Sequence, residues 1–250
     1  MSNVILITGA SRGIGAATAR LAAQRGYAVV VNYRKQAEAA DALANEISRM
    51  GGSALAVKAD VASEAEVSHL FAAIDERFGR LDVLVNNAGI IEQQMRLEAM
   101  SLERWQRVFA TNVFGSFLCS REAVKRMSTR AGGRGGGGAI VNVSSIAARL
   151  GAPEEYVDYA AAKGAVDSMT VGLAKELAAD SIRVNAVRPG VIDTEIHASG
   201  GEPGRVARVA GHIPLGRGGL AEEVAEAILW LAGDQASYTT GTLLDVSGGR

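Results

Sequence analysis

Short runs of β-branched and aliphatic residues alternate with longer amphipathic stretches along the whole chain, and this rhythm constrains the fold more than any other feature. The apolar runs are Val4 to Thr8, Ala28 to Asn32, Ala54 to Lys58, Val83 to Asn86, Ala139 to Val143, Arg183 to Val187 and Leu243 to Val246. Runs of this kind belong to strands of a parallel sheet covered on both faces. The segments between them read as helices: Gly13 to Arg25, Gln36 to Met50, a stretch ending near Phe78, Leu102 to Arg130, Tyr159 to Ala178 and Ala221 to Leu231. Leu43, Ile47 and Met50 share one face of the second, and Ser63 followed by Glu66 is a capping box that opens the third. The pattern predicts one α/β domain over residues 1–250, a doubly wound parallel sheet of seven strands with no linker.

Two segments break the rhythm. Ala131 to Gly138 is rich in glycine, with Arg130 at its edge and Arg134 within it, and reads as a surface loop because nothing in it packs or caps. Gly190 to about Arg217 has weak periodicity and is long enough to be a mobile lid or substrate loop. With 26 basic and 27 acidic residues the chain generates no large field of one sign, which argues against nucleic-acid and membrane-surface partners. The one cysteine, Cys119, excludes an intramolecular disulfide and a cysteine-rich metal site, and no metal is expected. In its apolar helical stretch it reads as a small buried hydrophobe. The first strand begins without a basic region and long apolar core ahead of it, and no later stretch has the length of a membrane span, so a cytoplasmic location is expected.

The first strand runs into Thr8-Gly9-Ala10-Ser11-Arg12-Gly13-Ile14-Gly15 and then directly into a helix. Glycines at 9, 13 and 15 permit a tight turn, close approach of backbone to a diphosphate and close helix-to-strand packing, and the helix N-terminus offers N–H groups to an anion. The expected architecture is therefore Rossmann-like. The spacing is G-x-x-x-G-x-G rather than the common G-x-G-x-x-G, and taken alone it also suits a plain βα turn. Farther on, Tyr159 and Lys163 stand four apart at the start of a helical stretch. A rise of about 1.5 Å per residue puts both on one face, about 6 Å apart along the axis. A phenol ordinarily titrates at about 10, so holding it ionised near neutrality takes about 4 kcal/mol of preferential stabilisation. A fixed ammonium one turn away supplies much of that, so the pair reads as a tuned acid/base. A surface Tyr packed on a Lys stem has the same spacing.

Three more motifs join these: Asn86-Asn87-Ala88-Gly89 after the fourth strand, Ser144-Ser145 after the fifth and Pro189-Gly190 after the sixth, with Asn112 in the long helix. The strand-end motifs stand where ligands bind in open parallel sheets. On these residues the chain strongly resembles the short-chain dehydrogenase/reductase family, in its single-domain branch. Within it the chain looks like 3-oxoacyl-carrier-protein reductase-like and glucose-dehydrogenase-like members. The resemblance implies roles residue by residue. Ser145 polarises the substrate carbonyl, Tyr159 exchanges a proton with its oxygen, and Lys163 lowers the Tyr pKa and holds the nicotinamide ribose. Asn112 holds a water that links Lys163 to solvent, or it bonds a neighbouring carbonyl. Ser145 is preferred to Ser144 because Ile146-Ala147-Ala148-Arg149-Leu150-Gly151 continues from it as in the family, although Ser145 lies one residue farther from the Tyr than is usual there. Ser144 is left as a cap or turn residue. Tyr156 is set aside, because Ala160 stands four residues after it and no ammonium is placed to lower its pKa.

For the cofactor, the resemblance implies Gly9, Ser11, Arg12, Gly13, Ile14 and Gly15 at the phosphates, and Asp60 and Val61 at the adenine. Asn87, Ala88 and Gly89 support the sheet beneath it, and Tyr159, Lys163, Pro189, Gly190, Ile192 and Thr194 complete the set, Thr194 at the nicotinamide carboxamide. Asp60 also suits a turn, and Thr194 a lid-helix cap. The second strand ends Val31-Asn32-Tyr33-Arg34-Lys35. A ribose 2′-hydroxyl calls for a carboxylate there and a 2′-phosphate for cations. Tyr33 stands where NAD-preferring relatives carry Asp, Arg34 follows, and Arg12 is close enough to join it, so NADP is expected, with NAD use possible. Arg34 and Lys35 also fit a solvated helix start.

The expected function is NADP-dependent hydride transfer between nicotinamide and a small-molecule carbonyl or alcohol substrate. The alternative is a noncatalytic NADP-binding sensor or partner-binding protein, which has no need to keep Ser145, Tyr159 and Lys163 together. Phe114, Phe117 and Leu118, with the tail Gly241 to Gly249, resemble segments that build dimer and tetramer contacts, so a homo-oligomer, dimer or homotetramer, is expected. Those residues also suit ordinary core. Arg121, Lys125, Arg126, Arg130 and Arg134 outline a basic rim suited to an acidic carrier protein, or simply to a helix C-terminus. His197 and His212 in the lid read as solvent-facing or packing residues.

Overall fold

A computed structural model describes residues 2–130 and 135–250. Its strands are β1 (Val4–Ile7), β2 (Ala28–Tyr33), β3 (Ala54–Lys58), β4 (Val83–Asn86), β5 (Gly138–Val143), β6 (Ile182–Pro189) and β7 (Leu243–Val246). All pair in parallel, in the order β3-β2-β1-β4-β5-β6-β7. The order reverses between β1 and β4, and in such sheets that switch point opens a crevice beyond the carboxyl ends of the strands. Between the strands run α1 (Gly13–Gln24), α2 (Ala37–Arg49), α3 (Glu64–Phe78), α4 (Leu102–Phe109), α5 (Gly115–Met127), α6 (Ala147–Leu150), α7 (Val157–Glu176), α8 (Ile196–Ser199), α9 (Arg205–Val209) and α10 (Ala221–Ala232). The chain is a Rossmann-like α/β fold, as the alternation predicts.

The period of two along each strand divides the core between the two faces. Ile5 and Ile7 of β1 pack with Val29 and Val31 against α1, α2 and α10. Val4 and Leu6 face the other way, onto a cluster with Phe71, Ile74 and Met127 from α3 and α5. Cys119 of α5 lies in this second cluster, and burial pushes its thiol up to about 12, as befits a packing residue. Ser63 caps α3 by accepting from the Glu66 N–H at 3.4 Å, while the Glu66 carboxylate reaches back to the N–H of Asp60 at 2.8 Å rather than to Ser63. The cap thus also fixes the segment that follows β3. Among the described residues no helix is long and apolar enough to cross a membrane.

One expectation needs correction. The single helix from Leu102 to Arg130 is in fact α4, a π turn over Ala110–Phe114, and α5, which ends at Met127. A π turn inserts one residue into a helix without disturbing its apolar character, so periodicity does not register it. The stretch from Gly190 to Arg217, read as a lid or substrate loop of weak periodicity, carries α8, α9 and a 3₁₀ turn over Ala210–His212. Helices of one turn are too short to display a period. Half of the expected glycine-rich loop, including Arg134, falls on residues 131–134, outside the described residues.

Candidate active site

A cleft of about 770 Å³ opens over the carboxyl ends of the strands at the switch point. Of the residues that the sequence marks for the cofactor, every one but Gly15 lines it, and so do Ser145, Tyr159 and Lys163. Its floor is the glycine loop. Gly9 has φ +62°, and a Cβ there would lie 2.9 Å from the Ala88 Cα, so the position admits only glycine. Gly15 serves packing instead, because a Cβ on it would meet the Asn87 side-chain nitrogen at 2.6 Å. That nitrogen donates to the carbonyls of Thr8 (2.8 Å) and Gly9 (3.1 Å), while the Thr8 hydroxyl accepts from the N–H groups of Asn87 and Ala88. On the other side the Asn32 side chain accepts from the Gly9 N–H at 3.2 Å and donates to the Ala59 carbonyl at 3.0 Å. Thr8 and Asn32 thus lock the loop between three strands. The signal available in sequence was a polar residue ending an apolar run. α1 begins with neither a side-chain cap nor a carboxylate in its first turn, leaving its N-terminal donors suited to an anion.

Tyr159 and Lys163 project from the first turns of α7. The Lys163 ammonium donates to the Val143 carbonyl at 2.7 Å and sits 5.5 Å from the centre of the Tyr159 ring. Burial pushes the phenol up to about 12 against a hydrogen bond from Ser145 that draws it down. Burial also brings Lys163 down to about 8, opposed by the charge of Asp167. The expectation that the ammonium lowers the phenol is therefore corrected for the protein by itself: the cation faces a carbonyl and the ring, and desolvation outweighs it. A phenol so held stays protonated at neutral pH, the form that donates.

The two serines separate cleanly. Ser145 accepts from the Ala147 N–H at 3.1 Å, which leaves its own proton free for the phenol or a ligand. Ser144 is buried, and its hydroxyl donates to the Lys163 carbonyl at 3.2 Å, tying α7 to the end of β5. Asn112 lies in the π turn behind the cleft wall. Its amide nitrogen donates to the carbonyls of Ile90 (3.0 Å) and Val108 (2.8 Å), and its oxygen accepts from the Ile90 N–H. Of its two readings, bonding a neighbouring carbonyl is the one displayed here. Beneath the site, Asn86 donates to the Asn142 oxygen at 2.9 Å and Asn142 to the Thr170 hydroxyl at 2.9 Å, joining β4, β5 and α7.

One positioning device escaped the sequence. Asp158, the residue before Tyr159, is held bidentately by Arg104 of α4 at 2.6 and 3.2 Å, with both side chains buried. Asp158 also accepts from the Tyr159 N–H at 2.9 Å, so this pair sets the start of α7 and hence the phenol. Arg104 and Asp158 are 54 residues apart, and such a pairing has no local signature.

At the other end of the cleft, Arg34 forms an ion pair with Asp60 at 2.8 Å, joining the ends of β2 and β3. Arg12 does not turn toward Arg34, as expected, but donates to the Ser199 hydroxyl of α8 at 3.3 Å. Thr194 rests on the glycine loop, its Cγ2 lying 3.4 Å from where a Gly13 Cβ would be. His197 is buried rather than solvent-facing, whereas His212 is exposed. The basic rim is largely spent on its own neighbours: Arg121 pairs with Glu64, Lys125 with Glu122, Arg126 with Asp75 and Arg130 with Asp180. Phe114 and Phe117 are about half exposed, while Leu118 packs partly into the core.

Residues 9–250 match a family model described as Enoyl-(Acyl carrier protein) reductase. The chain is 58% identical over 247 residues to the Uncharacterized oxidoreductase YgfF of Escherichia coli strain K12, covering 99% of each. It is 44% identical over 250 residues to a 3-oxoacyl-(acyl-carrier-protein) reductase of a Synechocystis strain, covering 99% of this chain and 96% of that protein. The crystal structure of a short-chain type dehydrogenase/reductase from Mycobacterium marinum matches with a TM-score of 0.92 and 36% identity, over 99% of this chain and 94% of that one. Sheet order, strand-end cleft and these likenesses agree: the chain belongs to the short-chain dehydrogenase/reductase family and is an oxidoreductase.

Proposed function

We propose that this oxidoreductase, a single domain over residues 1–250, reduces a small-molecule carbonyl with NADPH and oxidises the corresponding alcohol in reverse, with Tyr159 as acid/base. The observation that carries the reading is the meeting of Ser145, Tyr159 and Lys163 on one wall of a cleft whose floor is the glycine loop. The residues present fit a dinucleotide. Gly9 lets the loop pack against Ala88, where a Cβ would clash, and so holds the floor of the cleft, while the uncapped start of α1 suits a diphosphate. Arg12 and Arg34, with no carboxylate at Tyr33, favour a 2′-phosphate, for which Arg34 would exchange its exposed pairing with Asp60. Asp60 and Val61 would border the adenine, and Ile192 and Thr194 the nicotinamide.

Bound there, the nicotinamide supplies the hydride. The Ser145 hydroxyl, relieved of its acceptor duty by Ala147, donates to the substrate carbonyl oxygen and polarises it. Tyr159, protonated at neutral pH, gives its proton to the same oxygen as negative charge develops. Lys163, fixed by the Val143 carbonyl, would hold the ribose hydroxyls and bring positive charge beside the phenol. The half-exposed Phe114 and Phe117 support assembly as a homo-oligomer, a dimer or tetramer. A lone buried thiol accords with work in the cytoplasm.

The test is NADPH consumption with a panel of ketones, diketones, 3-oxoacyl thioesters and sugars. Turnover on at least one class, faster with NADPH than with NADH, is expected. NADPH binding without turnover on any of them would favour the noncatalytic sensor instead.

A further inference from the structure

Asp167 stands one turn beyond Lys163 on α7, as Lys163 stands one turn beyond Tyr159. Side chains so spaced start about 5–6 Å apart at Cβ and share one side of the helix. Both are buried, Asp167 at 7% exposure and Lys163 at 4%. The Asp167 Oδ2 accepts from the Arg188 guanidinium of β6 at 2.8 and 3.0 Å. Its Oδ1 is buried and has no hydrogen-bond partner among the described residues. Buried carboxylate oxygens are seldom left bare, so this one calls for an explanation. Arg188 is in turn shared with Asp245 of β7 at 3.6 Å, and Arg149 of α6 holds Asp245 at 3.0 Å. The carboxylate is thus fixed from the sheet side.

Lys163 forms no ion pair with Asp167 among the described residues, because its ammonium goes to the Val143 carbonyl. That carbonyl carries no net charge, while burial favours loss of the proton and the Asp167 charge opposes that loss. In a buried setting a carboxylate acts on a cation one helical turn away without touching it. The other charged groups on elements packed against α7 are committed elsewhere. Arg104 pairs with Asp158, Arg107 of α4 with Glu92, and Asp180, just past the end of α7, with Arg130. The π turn brings Asn112, which carries no charge, and Tyr159 is protonated at neutral pH. Arg188 works in two ways: it steadies the carboxylate by one oxygen, and its own cation weakens the field that reaches Lys163.

We propose that Asp167 is a positioning residue for the reaction: steadied by Arg188, its carboxylate keeps the Lys163 ammonium charged beside the Tyr159 phenol. This rests on the carbonyl-reductase reading above. The experiment follows the Lys163 Cε–H signal by heteronuclear NMR through a pH titration of the full-length, lysine-labelled protein, the signal being assigned by its loss in Lys163→Met. The pH profile of kcat/KM at saturating NADPH is recorded beside it. Asp167→Asn keeps the side-chain shape and leaves Arg188 its pairing with Asp245, and NADPH titration verifies that the variant is folded. Removing the negative charge disfavours the cation, so the Lys163 midpoint is expected to fall by about half to one pH unit, with the alkaline limb of kcat/KM following it down. Arg188→Gln removes the opposing cation and is expected to move both upward; should it not fold, Asp167→Asn decides alone. A pair that only braces α7 against β6 would, when broken from either side, move the midpoint in one and the same direction. Such a common direction, a midpoint in Asp167→Asn within about 0.2 of the wild type, or a fallen midpoint with an unmoved alkaline limb overturns the proposal. A midpoint that falls as expected in a protein that turns over no carbonyl supports the coupling of Asp167 to Lys163 and counts against the reductase reading.

Discussion

The buried pair of Arg104 and Asp158 offers the sharpest test of how this fold places its phenol. The two side chains are 3% and 2% exposed, and Arg104 spends its remaining reach on the Gln93 carbonyl at 2.5 Å. Truncating one partner strands the other charge in the interior, which costs roughly 3–5 kcal/mol, whereas an exposed pair would cost about 1 kcal/mol or less. Asp158→Ala and Arg104→Met should each lose about 3–5 kcal/mol of unfolding free energy. Because each single change breaks the same contact, Arg104→Met/Asp158→Leu should lose far less than the sum, recovering about half or more of either single loss. Urea unfolding followed by circular dichroism at a fixed protein concentration measures all three. Single losses below about 1 kcal/mol, or losses that simply add, would refute the argument that this pair anchors the start of α7.

Arg34→Ala should weaken NADPH binding by about tenfold while changing NADH binding by about twofold or less, and a wild-type affinity for NADH equal to that for NADPH would contradict the 2′-phosphate reading. Ser145→Ala should lower kcat by about 10²–10³-fold, whereas Ser144→Ala should chiefly cost about 1 kcal/mol of stability through its lost bond to the Lys163 carbonyl. Steady-state kinetics and unfolding curves on both variants check that separation. Burial sets Lys163 at about 8, so its cation is present below that value and lost as pH rises through it. Reduction, which uses the neutral Tyr159 phenol beside that cation, should have kcat/KM level below about pH 7 and declining on the alkaline side. A profile that stays flat through about pH 10 would break this assignment.

The seven strands were legible because their runs are largely apolar and several are followed closely by glycine, asparagine or proline. The reacting side chains were legible for a related reason. Ser145, Tyr159 and Lys163 lie near one another in sequence, at a strand end and on one helix face. What stayed hidden depends on three-dimensional placement. The π turn around Asn112 and the one-turn helices α8 and α9 lack a readable period. Arg104 meets Asp158, and His197 comes to share a cleft with Tyr156, only through tertiary packing. Spacing placed the Lys163 ammonium near Tyr159, yet could not reveal that burial would act on both groups more strongly than they act on each other.

The central claim is that Tyr159 moves the proton while other residues hold the cofactor. Tyr159→Phe measures it directly, with NADPH-linked turnover and NADPH binding followed on the same preparation. The account predicts a fall in kcat of about 10²–10⁴-fold with the dissociation constant for NADPH within about threefold of the wild-type value. Turnover retained in Tyr159→Phe would contradict it.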